Sequence, residues 1–516
     1  VTNMRLFKNS QMRIGEVDIG SIKLDKSSRD DVPRLLMGLQ SVYLNKVLLK
    51  KISDIMMEEM LPKVNKKDGR YGMDFWNIFV LHVVKRGASI DYDRLRDYAN
   101  SHIELRKFLG ISYEQSDYKF GLQTIKNNLG LMSEEVLKKI NAEIVKHGHD
   151  LLPDKDTNDL RARGDSFVYK TGVEYPTDIG LLEDSLIGAI NVASKLSSKY
   201  KVNGLRESES AMRKTKRLKN KAQQSKKFRN KNNPDKYQEQ TVKPHKKLIN
   251  YASKILAKIT NSKKEIEEKI KEVAKSINPK NKKELKSLEK DKEKIENINF
   301  YAKETERQIN QIERRVINGE VIPHSEKIFS VYKSYTEWIN KGKAGVPFEL
   351  GVRMAIIEDN NGFILNHKIM YNQTDEKIAV DFLKDTMNMF PNINSISYDR
   401  GFWSKQNLQD LEDMGVDVGM PKKGKLNKKD TERQDKEEYK KAKDKHSAIE
   451  SAINGLQHHG GDICRDYSKD KYESHAASSV ISKNLIRIGD IIIEKEDRRQ
   501  RRKKYTFQNT SLQKAA

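Results

Sequence analysis

Three carboxylates in this 516-residue chain stand where an acid can do more than carry surface charge. Asp165 lies in the strand-like run Arg163-Gly164-Asp165-Ser166-Phe167-Val168-Tyr169. Asp399 closes the run Ile396-Ser397-Tyr398 and is followed by Arg400-Gly401-Phe402. Glu450 lies in His446-Ser447-Ala448-Ile449-Glu450-Ser451-Ala452-Ile453-Asn454, a helical pattern whose buried stripe is Ile449, Ile453 and Leu456, with Glu450 at its edge. Carboxylates at strand ends sit where an α/β sheet builds its sites, and a helix docked on that sheet would aim Glu450 at the same end. Hard divalent cations take oxygen ligands, and Mg²⁺ uses only one or two protein carboxylates besides phosphate and water. Two such ions on a phosphodiester activate the attacking oxygen and stabilise the leaving one, and three converging carboxylates suffice to hold the pair. Spacing alone does not select this triple from the chain's 74 acidic residues.

The elements that must position these groups read as follows. Residues 30–150 are helical in pattern, with Leu35, Leu36, Leu39, Val42, Tyr43 and Val47 at helical spacing within Val32–Met60. Asp74 is the expected N-cap of an apolar helix over 75–84 that Gly87 ends, and 92–98 and 134–145 are further helices. This block is expected to be a separate all-α domain, residues 1–150, with its own core. Strand patterns appear at 165–169, 352–357 and 363–370, the last two joined through Asp359-Asn360-Asn361-Gly362, a hairpin signal. A helix over 375–389, a strand over 393–398, a helix over 404–414 and a strand over 416–420 follow. Strands mixed with helices give an α/β domain over 160–490. It is interrupted by a helical insertion, 180–318, whose second half reads as two antiparallel charged helices broken at Pro279, a coiled-coil arm. Residues 491–516 form a basic tail.

Charge supports a polyanionic partner. Lys and Arg number 99 against 74 Asp and Glu, a net +25. From Arg213 to Lys247 there are 14 basic and two acidic residues, a net +12, about half the total. A second cluster is Arg498-Arg499-Gln500-Arg501-Arg502-Lys503-Lys504. Codon bias does not concentrate charge in this way, whereas phosphate neutralisation uses such clusters through counterion release. A single cysteine excludes a disulfide framework and a multi-cysteine zinc site. No apolar run reaches the ~20 residues of a spanning helix, and Val1–Ser10 has no signal-peptide core, so a cytoplasmic protein is expected.

The words around the carboxylates carry a resemblance. Asp165 with Tyr175-Pro176-Thr177-Asp178 and Leu181-Leu182 resembles the first motif of DDE transposases from bacterial insertion sequences. Glu337-Trp338-Ile339, Lys341-Gly342-Lys343-Ala344-Gly345 and Glu349-Leu350-Gly351 resemble the stretch before that family's second strand. Tyr398-Asp399-Arg400-Gly401-Phe402 resembles the second acidic motif, and His446 to Asn454 with His459-Gly460 the third. The motifs occur in order over roughly residues 70–490. The resemblance implies a ribonuclease-H-like core in which Asp165, Asp399 and Glu450 bind two Mg²⁺ ions, with Mn²⁺ as a substitute. It implies a homodimer on double-stranded DNA that cuts and joins at inverted-repeat transposon ends and target DNA, in the bacterial cytoplasm at the nucleoid. Two departures stand out. The interval from Asp165 to Asp399 is long, 234 residues, because of the insertion. Where one branch has Tyr, Arg and Lys around the final Glu, this chain has Lys443, His446 and Gln457, which places it in a different branch.

The expected DNA-contacting residues are Lys341, Lys343, Arg400, Lys422, Lys423 and Lys425, with Arg213, Lys214, Lys216 and Arg217 in the insertion. His446 contacts a phosphate, orients Glu450, or is a helix-surface histidine. Gly419-Met420-Pro421-Lys422-Lys423-Gly424-Lys425-Leu426 nearly matches a nucleotide-binding loop, but Leu426 replaces the hydroxyl that would hold Mg²⁺, so a basic loop on the DNA backbone is the better reading. His458, His459, Cys464 and His475 lack paired zinc-ligand spacing and read as surface residues near a helix end. Trp338 and Trp403 read as core, with base stacking as the other use. Two further readings share the same residues: a catalytically silent, repurposed transposase that binds DNA, and a ribonuclease-H-like nuclease acting on another substrate.

Overall fold

Asn45 divides what the apolar spacing presents as one helix. Its backbone leaves helical geometry at φ −79° and ψ 95°, and its side-chain oxygen accepts from Leu48 N at 3.1 Å, capping a new start. The result is α1 (Asp31–Leu44), itself capped by Asp30, and α2 (Lys46–Met60). The computed structural model describes residues 7–8, 12, 14–60, 72–111, 117–152, 160–224, 234–279, 281–340, 347–444 and 446–515. Next come α3 (Phe75–Gly87), α4 (Tyr92–Ser101), α5 (Ile103–Phe108), α6 (Leu122–Leu129) and α7 (Glu134–Asp150). Helix α3 is buried on every side, as expected of a helix apolar all round, and lies within the core.

The chain forms two compact units, Val1–Gly172 with Ile339–Ala516, and Val173–Trp338. The second unit contains α8 (Asp178–Tyr200), α9 (Ser208–Gln224), the short α10 (Pro234–Tyr237), α11 (Lys243–Ser276) and α12 (Lys282–Ile312). Leu182, Leu186 and Ile190 of α8 share a core with Leu248, Ala252 and Ile259 of α11 and Ile295 and Ile298 of α12. The break near Pro279 is present, and Asn281 caps α12 by accepting from Glu284 N. The expected two-helix arm is corrected to a bundle, because α8 and α9 cover the apolar stripes of the long helices.

The sheet has six strands among the described residues, β1 (Leu160–Lys170), β2 (Glu337–Asn340, at the boundary of the units), β3 (Phe348–Asp359), β4 (Ile364–Met370), β5 (Ile393–Tyr398) and β6 (Asp417–Gly419), with all but β2 wholly in the first unit. The order is β2-β3-β1-β5-β6, with β4 also paired to β3. Strand β3 runs antiparallel to β1 and β4 antiparallel to β3, whereas β5 is parallel to β1 and β6 parallel to β5. The β3–β4 turn forms because Asp359 Oδ1 accepts from Asn361 N (2.8 Å) and Phe363 N (2.9 Å), and Gly362 takes the left-handed conformation at φ 83°. Helices α13 (Asp375–Met389), α14 (Lys405–Asp413), α15 (Lys428–Asp435), α16 (Glu437–Lys443), α17 (Ala448–Leu456) and α18 (Lys469–Ala515) complete this unit.

The expected separation of residues 1–150 does not hold. Val32, Leu36 and Trp76 belong to one continuous buried cluster with Leu160, Ile357, Ile396 and Ile481. The cause is α7 and α18, which lie against β4. Asn141 and Asn484 are buried, bond each other at 2.8 Å and bond the Ile364 backbone, satisfying its polar groups inside the core. Residues 491–516 are likewise not a separate tail: the backbone of α18 continues through them as far as Ala515.

Candidate carboxylate site

Strand register brings Asp165 and Asp399 together. The parallel pairing of β1 with β5 ends at Gly164 opposite Tyr398, and the next residue in each case is an aspartate: Asp165 in the middle of β1, not at a strand end as expected, and Asp399 just past the end of β5. Gly164 is required there: a Cβ would lie 2.2 Å from Tyr398 Cε1. Tyr398 is fully buried, donates its hydroxyl to Ala379 O at 3.1 Å and stacks on Phe402 at 4.4 Å between ring centroids. Phe402 N donates back to Asp399 O, so the turn Asp399-Arg400-Gly401-Phe402 is folded onto the strand and leaves Asp399 and Arg400 exposed.

Glu450 occupies the first turn of α17, which packs against β1. The helix starts at Ala448, two residues later than the sequence pattern suggests, and its buried line is Ile449, Ala452 and Leu456, with Ile453 half-buried. Glu450 is exposed at the edge of that line. The preceding turn is fixed by a 2.9 Å hydrogen bond between His446 Nδ1 and the hydroxyl of buried Ser397 on β5. His446 is therefore half-buried and engaged with the sheet through Nδ1, rather than a plain surface histidine. Burial lowers its pKa; Asp399 and Glu450 oppose this, while Lys443 and Arg163 add to it.

Electrostatics join the three acids and add a fourth. Burial pushes the Asp165 carboxyl up to about 6, partly offset by Ser166 N, which donates to it at 2.7 Å; the charges of Asp399, Asp375 and Glu450 push it further up. Asp375 is the first residue of α13, and its Oδ1 is buried without a hydrogen-bond partner. A Cβ on Gly401 would lie 3.1 Å from Asp375 Oδ2, which places this acid under the Asp399 turn. In the sequence, Thr374-Asp375-Glu376 reads as an ordinary acidic helix start, so nothing local marks Asp375.

The donor set is oxygen only, which suits Mg²⁺ or Mn²⁺ and not a softer metal. The buried, unpartnered Asp375 oxygen and the mutual repulsion that raises Asp165 are both relieved by a cation, so the residues fit one. The oxygens of Asp165, Asp399 and Glu450 do not form a group with every pair within 4.8 Å.

The expected basic contacts fall into separate places. Arg400, Lys423 and Lys425 are exposed, the two lysines flanking Gly424 at φ 91°. Lys422 is half-buried, pairs with Asp430 and lies 6.0 Å from the Trp403 ring centre, so it supports the loop. Arg213, Lys214, Lys216 and Arg217 all lie on the solvent side of α9, in the other unit. Lys341 and Lys343 lie outside the described residues. The loop resembling a nucleotide site leads into α15, none of whose residues is buried, so it lacks the packed helix such a loop requires.

No family model, no curated protein and no solved structure matches the chain. No helix among the described residues is long and apolar enough to cross a membrane.

Proposed function

We propose that the chain is a DNA transposase of the DDE class with a ribonuclease-H-like catalytic core. The observation that carries this is the parallel β1–β5 register, which sets Asp165 beside Asp399 while α17 presents Glu450 to the same strand. The order β4-β3-β1-β5-β6, antiparallel on one side of β1 and parallel on the other, supports the ribonuclease-H-like reading.

Asp165 and Asp399 would hold the metal ions together, with Glu450 completing the second position. Bound Mg²⁺, or Mn²⁺ in its place, lowers the pKa of an attacking hydroxyl and stabilises the leaving oxygen. The chain's own residues do the rest. Ser166 N orients the Asp165 carboxylate. His446 holds the turn before Glu450 against β5. Arg400, Lys423 and Lys425 neutralise phosphates near the cut, and the basic face of α9 adds duplex affinity. The nucleophile is water for cleavage and a transposon 3′-hydroxyl for strand transfer. A homodimer on DNA, in the cytoplasm at the nucleoid, is part of the same reading.

The test is nicking of supercoiled plasmid with Mg²⁺ or Mn²⁺. Metal-dependent nicking that Asp399→Asn abolishes, with DNA binding kept, supports the proposal. Nicking that survives in Asp399→Asn overturns the site. Preferential cutting of an RNA–DNA hybrid would favour a nuclease, and DNA binding with no metal-dependent cleavage would favour a silent relative.

A further inference from the structure

Away from the carboxylates, the residues after α17 meet the far end of β1. Lys170 N donates to Asp462 O at 2.9 Å, and Cys464 N donates to Lys170 O at 2.8 Å, so this segment adds a short parallel bridge to the sheet. The bridge places Cys464 in the interior, fully buried. His475, in the second turn of α18, reaches the same point and is 5% exposed. Asp466 completes a group in which one ligand atom each from Cys464, Asp466 and His475 lies within 4.8 Å of the others. Cys464 and His475 belong to the set, with His458 and His459, that sequence spacing assigned to the surface; of those four only His458 is exposed.

Several features turn this group into a built site. Tyr169, also buried, hydrogen-bonds His475 Nδ1 and so fixes the imidazole, as supporting groups do around metal-bound histidines. Asp466 and His475 line a cavity of ≈350 Å³, which provides an entry path and room for a water ligand. Arg86, 7% exposed and with a buried, unpartnered Nε, also lines that cavity and pairs with Asp466 at 3.3 Å, favouring the ionised forms of nearby acids. A second grouping of this kind among the described residues, Asp31, His458 and His459, is more open, with His458 exposed.

We propose that Cys464, Asp466 and His475 bind a Zn²⁺-type transition-metal ion. One sulfur, one nitrogen and one oxygen donor match Zn²⁺ with a water in the fourth position, and they do not match Mg²⁺. Binding exchanges the Cys464 S–H bond for a sulfur–metal bond and releases the proton to solvent. The ion ties the segment that follows the Glu450 helix to β1 and α18. This site is independent of the transposase reading.

The probe is Co²⁺ added to the full chain after chelator treatment. Because the chain has one cysteine, a thiolate-to-cobalt charge-transfer band reports Cys464 alone. The expected result is a band that saturates at one equivalent and is displaced by Zn²⁺. Asp466→Asn, a change at a partly exposed residue, should weaken binding by at least the roughly 10–100-fold that loss of a supporting group costs. Glu450→Gln should leave the band unchanged. Absence of the band in folded protein, confirmed by circular dichroism, overturns the proposal, as does an affinity that Asp466→Asn does not alter.

Discussion

His446 Nδ1 lies 2.9 Å from Ser397 Oγ, so the turn that leads into Glu450 is fastened to the strand that ends just before Asp399. Two acidic residues 51 positions apart are thereby held by a hydrogen bond that neither of them makes. Ser397 is fully buried, so its hydroxyl has no water to turn to if the imidazole is removed.

His446→Ala should lower kcat for metal-dependent nicking about tenfold or more while changing KM for DNA little, because it acts through the position of Glu450. It should also cost about 1–3 kcal/mol of stability through the orphaned hydroxyl. His446→Asn, which can still reach Ser397, should recover part of kcat. Equal losses in alanine and asparagine variants would show that the hydrogen bond does not position the site.

The metal-free protein should lose stability as pH rises from about 4 to about 6. The folded-state pKa of Asp165 is raised from 3.8 to about 6, so in that window the unfolded chain has released a proton that the folded chain still holds. The difference between wild type and Asp165→Asn in urea melts isolates this contribution from other carboxylates. Mg²⁺ should reverse it above pH 6 by favouring the ionised form. A wild-type-minus-variant difference that does not change across the window would contradict the assignment.

Asp375→Asn should move the acid limb of the pH–rate profile to lower pH, because it removes one of the charges that raise Asp165. Cleavage should persist within about tenfold, in contrast to Asp399→Asn, if Asp375 tunes the site without completing it. Complete loss of nicking with intact folding would make Asp375 a required ligand.

Lys423 and Lys425 are exposed, whereas Lys422 pairs with Asp430. The double variant Lys423→Ala/Lys425→Ala should reduce the slope of log K against log salt by about 1–2 units, with little change in melting temperature. Lys422→Ala should lower melting temperature more than it changes that slope. The fourfold alanine variant of Arg213, Lys214, Lys216 and Arg217 should reduce the slope by about 3–4 units. Fluorescence anisotropy across a salt series measures all three.

Much of the local structure is written in short windows of sequence. The bounds of α13 and β5 follow from apolar spacing, and the β3–β4 turn from Asp359 and Gly362, because side-chain periodicity and turn chemistry act over a few residues. The same windows show Asp399 at a strand end and Glu450 on a helix, but they begin the first strand at Asp165, whereas β1 starts at Leu160 and holds Asp165 in its middle. They also misplace a boundary: the Val32–Met60 spacing hides the break at Asn45, where a capping side chain outweighs a continuous apolar stripe.

What depends on distant partners could not be read in this way. Whether Asp165 lies beside Asp399 or beside another residue of β5 is a matter of register, settled by the Tyr398 ring lying over Gly164. Asp375 joins the site only because α13 begins beneath the Asp399 turn. The helices of residues 30–150 share a core with the sheet because α18, from the far end of the chain, packs between the two and against α7. Cys464, Asp466 and His475 meet because the segment after α17 pairs with Lys170 of β1. The sequence by itself determined which segments are helix or strand; only tertiary structure decided which side chains became neighbours, since burial of apolar surface and strand pairing act between residues far apart in the chain.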